Sequence, residues 1–182
     1  MIRLFICMLL TVVVTACDGP NVEVKIFHSP DSLLVDQISG EVFKQLLREK
    51  NLIPIECGGR MMNQITLLHW GFDYRKEIDI PEARELLITV TDRFLQAFNE
   101  NEHIRPYLAT YPFTAENVEV RIFLQNPNGS LLRPGILHVV ANIEGELDYL
   151  IENPETERLQ TILMESYAEA KAKLNVPMQQ AI

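Results

Sequence analysis

Cysteine and histidine are scarce in this chain of 182 residues, and their spacing removes several chemistries at once. Its three cysteines, Cys7, Cys17 and Cys57, form no closely spaced pair, so no zinc knuckle or thioredoxin-like redox motif is written here. The four histidines, His28, His69, His103 and His138, never fall two to one helical turn, which removes the paired-His signature of helical zinc sites. There is no Gly-rich phosphate loop and no Gly-x-Ser-x-Gly elbow. Basic residues are in deficit, 16 Lys and Arg against 25 Asp and Glu, for a formal charge of −9. Such a surface repels phosphate backbones, so no nucleic-acid partner is expected. No motif implies a cofactor or a metal.

The chain does have a composition that folds. At 47% hydrophobic and 23% charged it reads as globular and as one domain. Its most definite local feature is the N-terminus. Arg3 precedes an apolar run from Leu4 to Val14, then small Thr15 and Ala16, then Cys17. A positive end, an apolar stretch and small residues at a cut make a secretory signal. The run is too short for the roughly 20 residues that span a bilayer as a helix. Val14-Thr15-Ala16-Cys17 resembles the lipobox of bacterial lipoproteins, with Val where Leu is commoner. The resemblance implies that residues 1–16 are removed and that Cys17 carries a diacylglyceryl thioether and N-terminal acylation. It implies a lipid-anchored protein facing the periplasm or exterior. Asp18 after the Cys implies retention in the inner membrane. Cys7 would leave with the signal and Cys17 would carry lipid, so Cys57 would have no partner for an internal disulfide. Residues 17–27 would be the acylated end and a short tether, in which Val22–Phe27 alternates like a strand. About ten free residues reach at most roughly 35 Å, keeping the domain close to the membrane.

Residues 28–182 read as a single α+β domain. Ser29-Pro30 starts a helix to about Lys50, with Leu34, Ile38, Val42 and Leu46 as its stripe. A short strand at Ile53–Glu56 is expected to break at Cys57-Gly58-Gly59. Asn63–Arg75 is extended, with Leu68, Trp70, Phe72 and Tyr74 on one face and Gly71 as a possible bulge. Asp79 caps a second helix, with Glu82 three residues on, that carries Ala83, Leu86, Leu87, Val90, Phe94, Ala97 and Phe98 to about Asn99. Pro106 and Pro112 bracket an irregular aromatic segment. Three alternating runs follow: Val118–Leu124, then Leu137, Val139 and Ala141, then Leu147, Tyr149 and Ile151. Keeping the apolar residues on one face requires a three-residue loop, Ile143–Gly145, pairing Ala141 with Leu147 and Val139 with Tyr149. Asn153-Pro154 is expected to cap a last helix with Leu159, Ile162, Leu163, Tyr167, Ala170 and Leu174 on one side. The fold expected is a mostly antiparallel sheet with a C-terminal three-strand meander, packed on one side by about three amphipathic helices.

No residue stands out as catalytic. Cys57 lies before two glycines and not at a helix start that would lower its pKa, and no histidine is singled out as its base. His69 and Asp73 share a strand face, an ordinary arrangement for surface polar residues. Glu144, Glu146 and Asp148 sit at a turn and on an outer face, where solvation explains them better than glycosidase chemistry. Two features remain as partner surfaces. Tyr107, Tyr111 and Phe113 occupy the Pro-flanked loop, where aromatics either lid a core or recognise a ligand. Phe123, Val140 and Leu150 are expected on the outer sheet face as a partly exposed patch, unless that loop or the 53–75 region folds over them. The reading is a non-enzymatic, lipid-anchored interaction or assembly module with an envelope protein partner. The alternative is a small envelope hydrolase.

Overall fold

A computed structural model describes residues 29–174. The expected lipidation site at Cys17, the tether and the Val22–Phe27 strand lie outside these residues. Three helices pack on one side of a six-stranded sheet, which is the α+β architecture the sequence implies.

The first helix, α1 (Pro30–Lys50), begins after Ser29 and buries Val35, Ile38, Ser39, Val42 and Leu46. That spacing of three and four residues makes one apolar stripe. The chain then forms β1 (Leu52–Arg60) and β2 (Leu67–Tyr74). The Gly58-Gly59 pair was expected to end β1 early; instead β1 runs through it. The reason is crowding across the pair: a Cβ on Gly58 would lie 2.5 Å from the His69 ring. Glycine here permits close pairing and does not break the strand. The bulge lies on β1, between Pro54 and Glu56, opposite Phe72 and Gly71.

The second helix, α2 (Ile80–Glu100), starts where Asp79 accepts from the Glu82 amide at 2.9 Å. It carries the chain over to β3 (Val118–Leu124), which pairs parallel to β2, the one parallel pair of the sheet. Trp70 stacks on Phe94 at 3.7 Å between ring centroids and donates its indole N–H to Ser39 at 3.0 Å. One side chain of β2 thus joins both long helices to the sheet. Each such buried large side chain contributes about 1.5–3 kcal/mol.

The remaining strands are β4 (Leu137–Ile143), β5 (Glu146–Glu152) and β6 (Leu159–Ser166), followed by α3 (Tyr167–Leu174). Strand order in the sheet is chain order, β1 to β6. Two expectations are corrected here. The β4–β5 loop has two residues, not three: Ile143 pairs with Glu146, and Glu144 and Gly145 both have positive φ, 51° and 85°. That is the primed turn whose twist suits a hairpin. It pairs Ala141 with Asp148 and puts Asn142 inside, opposite Leu147. Asn142 is tolerated there because its amide donates to the Ala115 and Val118 carbonyls. A bulge at His138 then brings Leu137 opposite Ile151.

The second correction is β6. Residues 159–166 were expected to be helical, but the Asn153-Pro154 signal closes a hairpin. The Asn153 side chain accepts from the Glu155 and Thr156 amides, and its main chain bonds Arg158. A bulge at Ile162 breaks the alternation of β6, which left a spacing that also suits a helix. Strands β4 to β6 form the C-terminal three-strand meander, and the last helix starts only at Tyr167.

Candidate functional site

The three helices cover one face of the sheet. The other is built by the alternate residue of every strand. Along one row, Asp73, Phe123, Val139 and Leu150 are successive pairing partners from β2 to β5. The next row runs Gly71, Arg121, Ala141 and Asp148. Val139 and Ala141 are only 8% and 2% exposed although no helix of the described residues crosses this face. Towards one end of the sheet this face has a groove of about 410 Å³. Phe123 and Val139 line it together with the exposed Ile55, Leu131 and Leu159.

The groove is apolar inside and acidic at its rim. Glu56, Asp73 and Glu152 line it, and no Lys or Arg does. Gly71 makes room for the Glu56 side chain, whose carboxylate would lie 2.7 Å from a Cβ at that position. The only basic ring is His138, whose nitrogens face the Ile136 and Leu132 carbonyls at 2.9 and 3.0 Å and whose Nε2 lies 3.4 Å from Glu152. Those carbonyls fix the ring to the β3–β4 connection. Further along the same face, Asp148 Oδ1 is covered and accepts no hydrogen bond from the described residues. Burial pushes the Asp148 carboxyl above its ordinary pKa.

Of the residues expected to form the outer patch, Phe123 and Leu150 are there and half-buried, but Val140 is not. Val140 is fully buried on the helix side, paired with Ile122 and Tyr149. Val139 takes its place between Phe123 and Leu150. The dipeptide Glu144-Gly145 between two alternating runs was the signal for this register, because a two-residue loop reverses the faces relative to a three-residue one. Neither segment proposed as a cover lies over the patch. Residues 53–75 supply β1 and β2 of the same sheet. The loop carrying Tyr107, Tyr111 and Phe113 lines none of the groove. The Tyr107 carbonyl accepts from the Ile65 amide at 2.8 Å, and Phe113 is buried and clamped by the Asn99 side chain. Tyr111 is exposed, with its hydroxyl on the Asn99 carbonyl and the Arg105 guanidinium 4.4 Å from its ring. Tyr107 and Phe113 thus close the core.

No family model, curated protein or solved structure matches this chain. Its chemistry therefore has to be read from its own side chains. Cys57 pairs with Trp70 and His69 with Gly58, so the thiol and the nearest imidazole point to opposite faces of the sheet. Partial burial pushes the Cys57 thiol up and the Asp36 carboxylate adds to this, against a smaller opposing contribution from Trp70. Such a thiol is poorly ionised as a nucleophile. Glu144 pairs with Arg60, at the end of β1, at 3.2 Å. The most concentrated polar cluster lies on the helix side. Glu165 of β6 accepts from Arg84 of α2 at 2.6 Å, from the Tyr149 hydroxyl at 2.7 Å, and from Lys173 of α3. It joins two helices and two strands through one carboxylate, a packing role.

Proposed function

We propose that this protein is a lipid-anchored envelope interaction or assembly module, held near a membrane by Cys17, which docks a protein partner on the bare face of its sheet. One observation carries the reading: a contiguous apolar groove, Phe123 and Val139 with Ile55, Leu131 and Leu159, on a face that no helix of the described residues covers. Apolar surface gathered in a concavity and rimmed by polar groups is the form of a protein docking site. The anchor rests on the Val14-Thr15-Ala16-Cys17 pattern and the apolar run before it.

The two halves are tested separately. Cells are labelled with an alkyne fatty acid, and the full chain is compared with Cys17→Ala; equal labelling removes the anchor. A photo-reactive residue at Leu131 is then irradiated in native membranes. Crosslinks to another envelope protein are expected, and none to any protein removes the docking site.

A further inference from the structure

We infer that the occupant of the outer-face groove is a segment of a partner protein that places an apolar anchor on Phe123 and Val139 and Lys or Arg side chains against Glu56, Asp73 and Glu152. This rests on the docking role proposed above and adds the chemistry of the partner.

The argument is one of desolvation. A partner that seats on the apolar floor must also cover the rim, and the rim holds three carboxylates. Taking a carboxylate out of water without a counter-charge is costly, and an apolar contact does not return that cost. The protein has little cation of its own to offer there. Several acidic side chains elsewhere have a Lys or Arg partner: Glu49 with Arg93, Asp92 with Lys171, Glu144 with Arg60, Glu165 with Arg84 and Lys173. Glu56 and Asp73 make no ion pair with the described residues, and Glu152 meets only His138, which main-chain carbonyls already hold. On the same face Arg121 turns to Glu119 at 3.6 Å, and a covered oxygen of Asp148 meets no donor among the described residues. Two carboxylates without an ion pair among the described residues, and a third met only by His138, thus sit beside the apolar groove. Cations brought by a partner fill that need.

The same charges rule between other occupants. Anionic head groups and nucleic acid are repelled by the rim. A second copy of this chain would set one acidic rim against another. A cationic segment with an apolar anchor is attracted over distance by the acidic surface and seated by the groove.

The test uses the full acylated chain in its own membranes, with the photo-reactive residue at Phe123 and mass spectrometry of the captured segment. The expected segment carries at least two Lys or Arg within a few residues of a large apolar side chain. Asp73→Asn with Glu152→Gln should cut the yield about tenfold, the scale of two rim ion pairs. Raising the salt concentration should have the same direction of effect. Leu131→Asp should abolish capture, and because Leu131 is 74% exposed the fold should survive it. Absence of any crosslink overturns both this inference and the docking role. A crosslink to an uncharged or acidic segment, to the chain itself, or one indifferent to the two rim substitutions overturns the cationic partner alone.

Discussion

Replacing Glu165 by Leu tests the packing of the helix layer against the last two strands. The Glu165 side chain is 3% exposed and its partner Arg84 13%. The substitution keeps the volume roughly constant and removes all three bonds. Arg84 then keeps its charge in a nearly buried position without a counter-ion. The Tyr149 hydroxyl, on a fully buried ring, loses its acceptor, which by itself costs about 1–3 kcal/mol. Lys173 is half exposed, so its bond adds little. Removing one partner of a buried ion pair costs about 3–5 kcal/mol, and we expect Glu165→Leu to lose about 4 kcal/mol. The assay is urea unfolding followed by tryptophan fluorescence, because the single Trp, Trp70, is buried at the centre of the core. Adding Arg84→Met should recover about half of the loss, since the second change removes the stranded charge. The pH dependence has a definite sign. Burial alone would raise the Glu165 pKa, but the bonds from Arg84, Lys173 and Tyr149 outweigh it and hold the carboxyl below its usual value. A depressed folded-state pKa gives stability that is present above the unfolded value, about 4.3, and lost as pH falls through the folded one. The gap between wild type and Glu165→Leu should therefore narrow below about pH 4. A loss under about 1 kcal/mol at neutral pH, or additive losses in the double variant, refutes the account.

Three further outcomes follow from placement. Asp148→Asn should raise stability by about 1 kcal/mol at pH 7, because the buried oxygen no longer carries charge. Its folded-state pKa is raised, so the stability it contributes is full below the unfolded value and lost as pH rises; the gain from Asn should vanish near pH 3, and a gain independent of pH contradicts this. Val140→Glu buries a charge among Ile122 and Tyr149 and should cost more than about 3 kcal/mol, whereas Leu131→Asp should change the unfolding free energy from urea titration by less than about 0.5 kcal/mol. Cys57 is exposed, so Cys57→Ser should leave the unfolding free energy unchanged within about 0.5 kcal/mol, with or without a reducing agent.

The long helices were legible because their signals agree at several levels. Around α2, the Asp79 cap, Pro81 and a stripe from Ala83 to Phe98 all name the same element. The β3 alternation was equally plain, every second residue from Val118 to Leu124 being buried. What misled was alternation interrupted by polar residues with inside partners. Asn142 looks like a surface residue, and the pattern that keeps it outside also needs a longer loop. Only tertiary contact with the Ala115 and Val118 carbonyls decides otherwise. β6 was missed for another reason: the bulge at Ile162 breaks its alternation, and the burial of Glu165 depends on Arg84, 81 residues away. The site inherited the register error. Phe123 and Leu150 were identified, Val140 stood for its neighbour Val139, and Leu131 and Ile55 gave no periodic signal because one lies on an irregular connection and the other on a bulge.

Because the strands lie side by side in the order in which they occur along the chain, the sheet can be assembled as the chain emerges. Each new strand finds its partner already in place: β2 on β1, then, once α2 has crossed, β3 on β2, and so on to β6. No strand has to wait for a distant one or insert between two that have already joined. Apart from the β2–β3 step, which spans α2, pairing across short separations keeps the loop-closure cost of each step low and limits the time that an apolar edge stays open. A polypeptide delivered N-terminus first, through any narrow passage, can therefore lay down this sheet from one side to the other as it arrives.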